Sequence, residues 1–154
     1  MSFYRKLFIL SVAVIVVASL GRQADAAAPW LVMFHGNLLQ NRIVLKDWHE
    51  NQRLTLSVAE AANVPDRDLQ DRPYIEVAYF WGPDWVNYPS DEASLKKLEP
   101  QAGNQHGRFY PAYGDAEAIV TFEEASGPLK RKMTPAGLEI LAKYGIPIRV
   151  AKAN

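Results

Sequence analysis

Pro73-Tyr74-Ile75-Glu76-Val77-Ala78-Tyr79-Phe80-Trp81-Gly82-Pro83-Asp84-Trp85-Val86-Asn87-Tyr88-Pro89 is the stretch on which the reading of this chain turns. β-branched and aromatic residues dominate the eight positions after Pro73, which suits a strand that is at least half buried. Gly82-Pro83 then breaks the pattern, and the loop that follows carries Trp85 and Tyr88. Such a strand belongs near the centre of a core, and its exit loop is a natural place for a binding site. Glu76 interrupts the apolar run. On a period of two it shares a face with Tyr74, Ala78 and Phe80, opposite Ile75, Val77, Tyr79 and Trp81. A buried carboxylate there needs a partner such as an arginine, whereas a solvated one needs none.

Working back from this strand, Trp30 to His35 reads as a first strand that ends at Gly36-Asn37. Leu38-Leu39 and Ile43-Val44-Leu45 flank the polar Gln40-Asn41-Arg42, a pattern that fits a hairpin. Residues 46 to 62 carry two conflicting signals. Leu54, Leu56 and Val58 alternate with polar neighbours, which favours a strand from Arg53 to Val58. Asp47 with Glu50 is a capping-box pattern, and Leu54, Val58, Ala61 and Ala62 lie at helical spacing. The alternation is given the greater weight. Asn63 to Arg72, with Pro65 and several charges, reads as a solvated connection.

Working forward, Ser90 opens a helix with Asp91 and Glu92 in its first turn, and Pro100 ends it. Residues 101 to 107 read as a polar loop. Arg108 to Tyr113 is extended, and Pro111 confines it to an edge or a bulge. Ala118 to Phe122 is a strand, and Ser126-Gly127 turns the chain into its partner, Leu129 to Met133. Lys130-Arg131-Lys132 reads as a solvated strand edge that discourages aggregation. The last helix has the clearest local grammar. Thr134 caps it, Pro135 holds its first position, Gly145 ends it, and Pro147 prevents continuation. Ile146 to Val150 then reads as a short final strand. The order of elements implies an α+β fold with a largely antiparallel sheet and two helices, at about 90–99 and 135–144.

The first 26 residues have the grammar of a signal peptide. Arg5 and Lys6 precede an uncharged run from Leu7 to Leu20, and Ala24-Asp25-Ala26 supplies the small-residue cleavage pattern before Ala27. The run is shorter than the roughly 20 apolar residues a membrane span requires. The expectation is therefore a periplasmic or secreted domain over residues 27–154, with no membrane association once the leader is removed. That segment keeps 14 basic residues and 16 acidic ones, a net charge of −2. Without a basic field, nucleic acid is not an expected partner. The absence of cysteine removes disulfides, thiol nucleophiles and thiolate metal sites together.

The catalytic signals are sparse. His35, His49 and His106 lack the short spacing of a metal motif, and no metal or cofactor is assigned. Ser57, Ser90, Ser94 and Ser126 lack the Gly-x-Ser-x-Gly setting of a nucleophile elbow. General acid–base chemistry needs only a histidine and a carboxylate within reach. His49 with Asp47 or Glu50, and His106 with Asp115, are the pairs the sequence offers. The segments 81–88 and 104–115 are richer as a binding surface. Trp81, Trp85, Tyr88 and Tyr110 offer flat apolar faces, and Asn104, His106 and Arg108 offer donors. Arg108 suits a carboxylate or phosphate by its planar fork. The expected function is binding of a small molecule or an envelope protein through these loops. Acid–base catalysis and envelope interaction or inhibition are the competing expectations.

Overall fold

A computed structural model describes residues 28–62, 64–81, 92–98, 103–125 and 127–152. The expected leader, Trp85 and Tyr88 lie outside them. The strands are β1 (Leu31–His35), β2 (Ile43–Leu45), β3 (Val58–Ala61), β4 (Ile75–Phe80), β5 (Gln105–Tyr110), β6 (Ala112–Tyr113), β7 (Ile119–Phe122), β8 (Leu129–Met133) and β9 (Arg149–Val150). The helices are α1 (Trp48–Leu56), α2 (Asp66–Gln70), α3 (Glu92–Lys97) and α4 (Pro135–Lys143). Seven strands form one sheet in the order β2-β1-β4-β5-β7-β8-β3, and every neighbouring pair is antiparallel. The short parallel pair β6–β9 stands apart from it. This is an α+β fold, and the strand quoted first, β4, is an interior one between β1 and β5.

The odd-numbered side of β4 faces the helices. Ile75, Val77 and Tyr79 pack with Val32 and Phe34 of β1, Phe109 of β5, Leu54 of α1, and Ile140 and Leu141 of α4. The sheet curls around this core. A cavity of only about 20 Å³ is walled by Phe34, Val58, Val77, Phe109, Val120 and Met133, residues drawn from six different strands. The chain crosses from the β2 edge to the opposite β3 edge with little more than α1. A nine-residue helix spans about 14 Å, whereas seven flat strands would separate the two edges by about 29 Å. The curl brings the edges within reach of so short a connection.

Gly107 marks a close crossing of two strands. A Cβ on it would lie 2.0 Å from the Thr121 carbonyl oxygen on β7, so only glycine fits this crossing of β5 and β7.

Residues 48–56 form a helix, against the expectation of a strand over Arg53–Val58. Asp47 accepts a hydrogen bond from the Glu50 amide at 3.1 Å, the N-cap arrangement hinted at in the sequence. Two tertiary anchors add to it. Glu50 accepts hydrogen bonds from Lys143 and from the Tyr144 hydroxyl at the end of α4. These hold the Glu50 carboxyl below its ordinary range, and the bond to Glu50 pushes the Tyr144 phenol up to about 12. Asn51, fully buried, donates from Nδ2 to the carbonyls of Pro29, Trp30 and Leu45 at 3.2, 3.2 and 3.3 Å. The alternation was a coincidence of the helix C-terminus: Leu54 points inward, Leu56 is 71% exposed, and Val58 already belongs to β3.

Other expectations are corrected too. The first hairpin joins β1 to β2, so Leu38-Leu39 belongs to its connection and not to a strand. The stretch 63–72 is not simply solvated: it contains α2, and Leu69 and Arg72 are buried. Arg72 donates to the carbonyls of Pro111 and Glu117 at 2.8 and 2.9 Å, and burial lowers its pKa. Residues 105–107 are strand and not loop, paired to Tyr79, Ala78 and Val77. β8 is an interior strand, so Lys130-Arg131-Lys132 does not protect an edge. Lys130 pairs with Asp66 at 2.6 Å, and Lys132 pairs with Glu117 at 2.6 Å. The final strand is confined to Arg149–Val150. The α4 expectation holds: Thr134 accepts from the Gly137 amide, and Gly145, at φ 74°, ends the helix.

Candidate functional site

The side of the sheet away from α1 and α4 carries the site, with α2 packed at one end of it through Leu69 against Tyr110 and Ile119. At one end of it, Leu31, Met33, Ala78 and Phe80 pack with Val44 and Leu98. Beyond that apolar patch the face becomes polar because of register alone. His35 of β1 stands opposite Glu76 of β4. Glu76 stands opposite Arg108 of β5, Arg108 opposite Thr121 of β7, and Thr121 opposite Lys130 of β8. Five adjacent strands therefore contribute one transverse polar row to one face.

A trough follows this row. One part, of about 420 Å³, is lined by His35, Glu76, His106, Arg108 and Glu123. A wider part, of about 890 Å³, runs from Arg108 past Tyr74, Tyr110 and Thr121 toward α2, Glu124 and Lys130. His35 Nε2 lies 3.6 Å from the Glu76 carboxylate. The Arg108 guanidinium lies over the Tyr74 ring, 4.5 Å from its centroid, a cation–π contact. Tyr74 in turn leans on Tyr110, with ring centroids 5.8 Å apart. Burial works to lower the Arg108 pKa, but a hydrogen bond to Tyr110 and the presence of Tyr110, Tyr74 and Glu76 outweigh it and leave it raised.

Of the residues expected from sequence, His106 and Arg108 line the trough, and Tyr110 forms part of its wall although it is buried. Trp81 does not belong with them. It shares the odd-numbered side of β4 and packs against the helix-covered core. Asn104 is exposed just before β5 and is not among the lining residues. Trp85 and Tyr88 lie outside the described residues. The acid–base partners differ from those expected. Asp47 caps α1, Glu50 is held by α4, and His49 is exposed beside the Trp48 ring. Asp115 sits in the turn after β6, beyond the Tyr110 end of β5, while His106 lies toward the other end. The histidine–carboxylate pair that forms is His35 with Glu76. Residues overlooked as part of a site are Tyr74, Thr121, Glu123 and Lys130. Their common signal is parity with Glu76 or Arg108 along paired strands, which becomes usable only once the register is known.

His35 and Glu76 are close enough for a proton to pass between them directly or through one water. Burial is the largest influence on His35 and lowers its pKa; Glu76 opposes this, while Arg42 and His106 add to it. The imidazole is therefore neutral at pH 7 and available as a base. Removing the Glu76 charge in Glu76→Gln should lower the His35 pKa further, as read from its imidazole proton shift during an NMR pH titration. A rise would contradict this arrangement. The linkage has a definite sign. A folded-state value below the ordinary 6.5 means the unfolded chain binds more protons, so the His35 contribution to stability falls as pH drops below about 6.5.

Among the described residues no three of histidine, aspartate or glutamate converge as a metal-ligand set. No described helix is long and apolar enough to cross a membrane. Compared with family models, with curated proteins and with solved structures, the chain matches none.

Proposed function

We propose that this chain is an exported binding protein that takes a small polar molecule in the trough over β4 and β5. The observation that carries the proposal is the state of Arg108. It is exposed, braced flat against Tyr74, and has no ion pair among the described residues, whereas Arg67 and Lys130 on the same trough are engaged by Asp68 and Asp66. A guanidinium immobilised in this way has already lost side-chain freedom, so less is lost when a ligand docks. An amide-proton NMR titration with phosphate, acetate, methylammonium and glucose tests the proposal. At least one compound should shift Glu76, His106 and Arg108 together. Undisturbed spectra for all four at tens of millimolar would count against a ligand site.

A second proposal is acid–base catalysis at the same place, supported by the 3.6 Å approach of His35 to Glu76. Its signature would be an activity lost in both His35→Asn and Glu76→Gln while the fold is kept. Export is part of the main proposal and rests on residues 1–27. It has a bearing on the fold, because Ala28 and Pro29 are buried and Pro29 is held by Asn51. The chain after Ala27 is thus packed and not a loose tail, which favours cleavage before folding. N-terminal sequencing of the protein from an envelope fraction should begin at Ala27, within two residues. Recovery of a carbonate-resistant chain starting at Met1 or Ser2 would show an anchor instead.

A further inference from the structure

We propose that the trough's ligand is a short zwitterionic peptide, held with its free carboxylate on Arg108 and its free ammonium group on Glu123. This rests on the trough being a ligand site at all. Three observations point to the class. First, the unpaired charges on the trough are of both signs: Arg108 on one side, and Glu123 on the other, neither in an ion pair among the described residues. A simple anion would meet Arg108 but also Glu76, Glu123 and Glu124; a simple cation would meet those carboxylates but also Arg108. A molecule carrying both charges satisfies both sides. Second, the spacing fits. Arg108 pairs with Thr121, and the Glu123 amide donates to the His106 carbonyl at 2.8 Å, so Arg108 and Glu123 occupy diagonal positions across β5 and the end of β7. Diagonal positions lie about 7–8 Å apart at the backbone, and the Arg108 head leans onto Tyr74 and so away from Glu123. An extended peptide advances about 3.5 Å per residue. The termini of a di- or tripeptide span that distance, while the two charges of a single amino acid do not. Third, the wider part of the trough continues past Arg108 toward α2, which leaves room for a peptide side chain beside the carboxylate end.

The test is calorimetric titration, with amide-proton NMR in parallel, using trialanine, a pool of free tripeptides, N-acetyl-trialanine, trialanine amide, sodium phosphate and sodium acetate. The free peptides should bind, and each blocked form should bind about tenfold more weakly, the loss that goes with one charge-assisted contact. Arg108→Gln should abolish the difference between trialanine and its amide. Glu123→Gln should abolish the difference between trialanine and its acetylated form. Both side chains are exposed, so neither change threatens the fold, and each variant's NMR spectrum reports that directly. Equal binding of free and blocked peptides, or binding of phosphate or acetate as tight as that of any free peptide, overturns the zwitterion assignment while leaving the trough as a ligand site. Silence of the trough resonances to every compound, the four of the earlier panel included, removes the site and this proposal with it.

Discussion

Gly107→Ala should cost about 3 kcal/mol or more of stability, seen as a fall in melting temperature of about 10 °C or an insoluble product. The added methyl would stand 2.0 Å from the Thr121 carbonyl oxygen. That neighbour is backbone held in the β5–β7 ladder, so it cannot rotate away as a flexible side chain would. Relief requires the two strands to part, breaking the Gly107–Phe122 pairing and disturbing the Arg108–Thr121 pairing beside it. Gly127→Ala is an informative comparison. It also alters a glycine, at φ 110°, but its Cβ would meet nothing within 4 Å, so only local backbone strain of about 1 kcal/mol is at stake. Equal melting temperatures for the two variants would refute the steric account.

Asn51→Asp should be more damaging than Asn51→Ala, although aspartate is the better match in shape. The two protons of the Nδ2 amide are shared among three carbonyls, those of Pro29, Trp30 and Leu45, while Oδ1 has no hydrogen-bond partner among the described residues. Alanine removes the donor and leaves buried acceptors unsatisfied, for a loss of about 2–3 kcal/mol. Aspartate also sets a carboxylate against those carbonyl oxygens in a fully buried place, for a loss of about 4 kcal/mol or more at pH 7. The pH dependence separates the two variants. The buried carboxyl would have a raised pKa in the folded state, so the folded protein would bind more protons than the unfolded one. Asn51→Asp should therefore regain stability relative to Asn51→Ala as pH falls from 7 toward 4 in denaturant titrations. A constant gap between them would show that the donor role of Nδ2 is misassigned.

How much of this was legible in the chain follows from how local each signal is. Thr134, Pro135 and Gly145 bracket α4 by rules that act within one or two turns. The β7–β8 hairpin needed only the apolar strand Ala118 to Phe122 and the Ser126-Gly127 turn after it, and β4 needed only its composition. α1 was missed because the evidence for it is divided. Asp47 is a local cue, but Asn51 and Glu50 are also fixed by partners farther away in sequence: Pro29 and Trp30 for one, Lys143 and Tyr144 for the other. Against a three-residue alternation, the cap alone did not carry enough weight. The site was half legible for the same reason. His106 and Arg108 stand close together on one strand and were singled out. His35, Glu76 and Thr121 join Arg108 only through the register of three separate strand pairs, and no single stretch of sequence encodes that. Trp81 was placed on the correct face, opposite Glu76, yet was grouped with Arg108, although parity alone sends its ring to the other side of the sheet.

The curled sheet takes both of its outer strands from the first 61 of 154 residues. β2 is one edge and β3 the other, and β3 finds its hydrogen-bonding partner only in β8, some seventy positions later. A chain that emerges from its N-terminus, whether from a ribosome or through a membrane pore, therefore presents β3 long before β8 exists to receive it. Lys143 and Tyr144, which hold Glu50, arrive later still. Loop closure over such separations must come before the contacts that reward it. Order of synthesis thus keeps this molecule open until almost its last residues are available, a timing that suits a polypeptide threaded through a channel as an unfolded strand and allowed to close only on the far side.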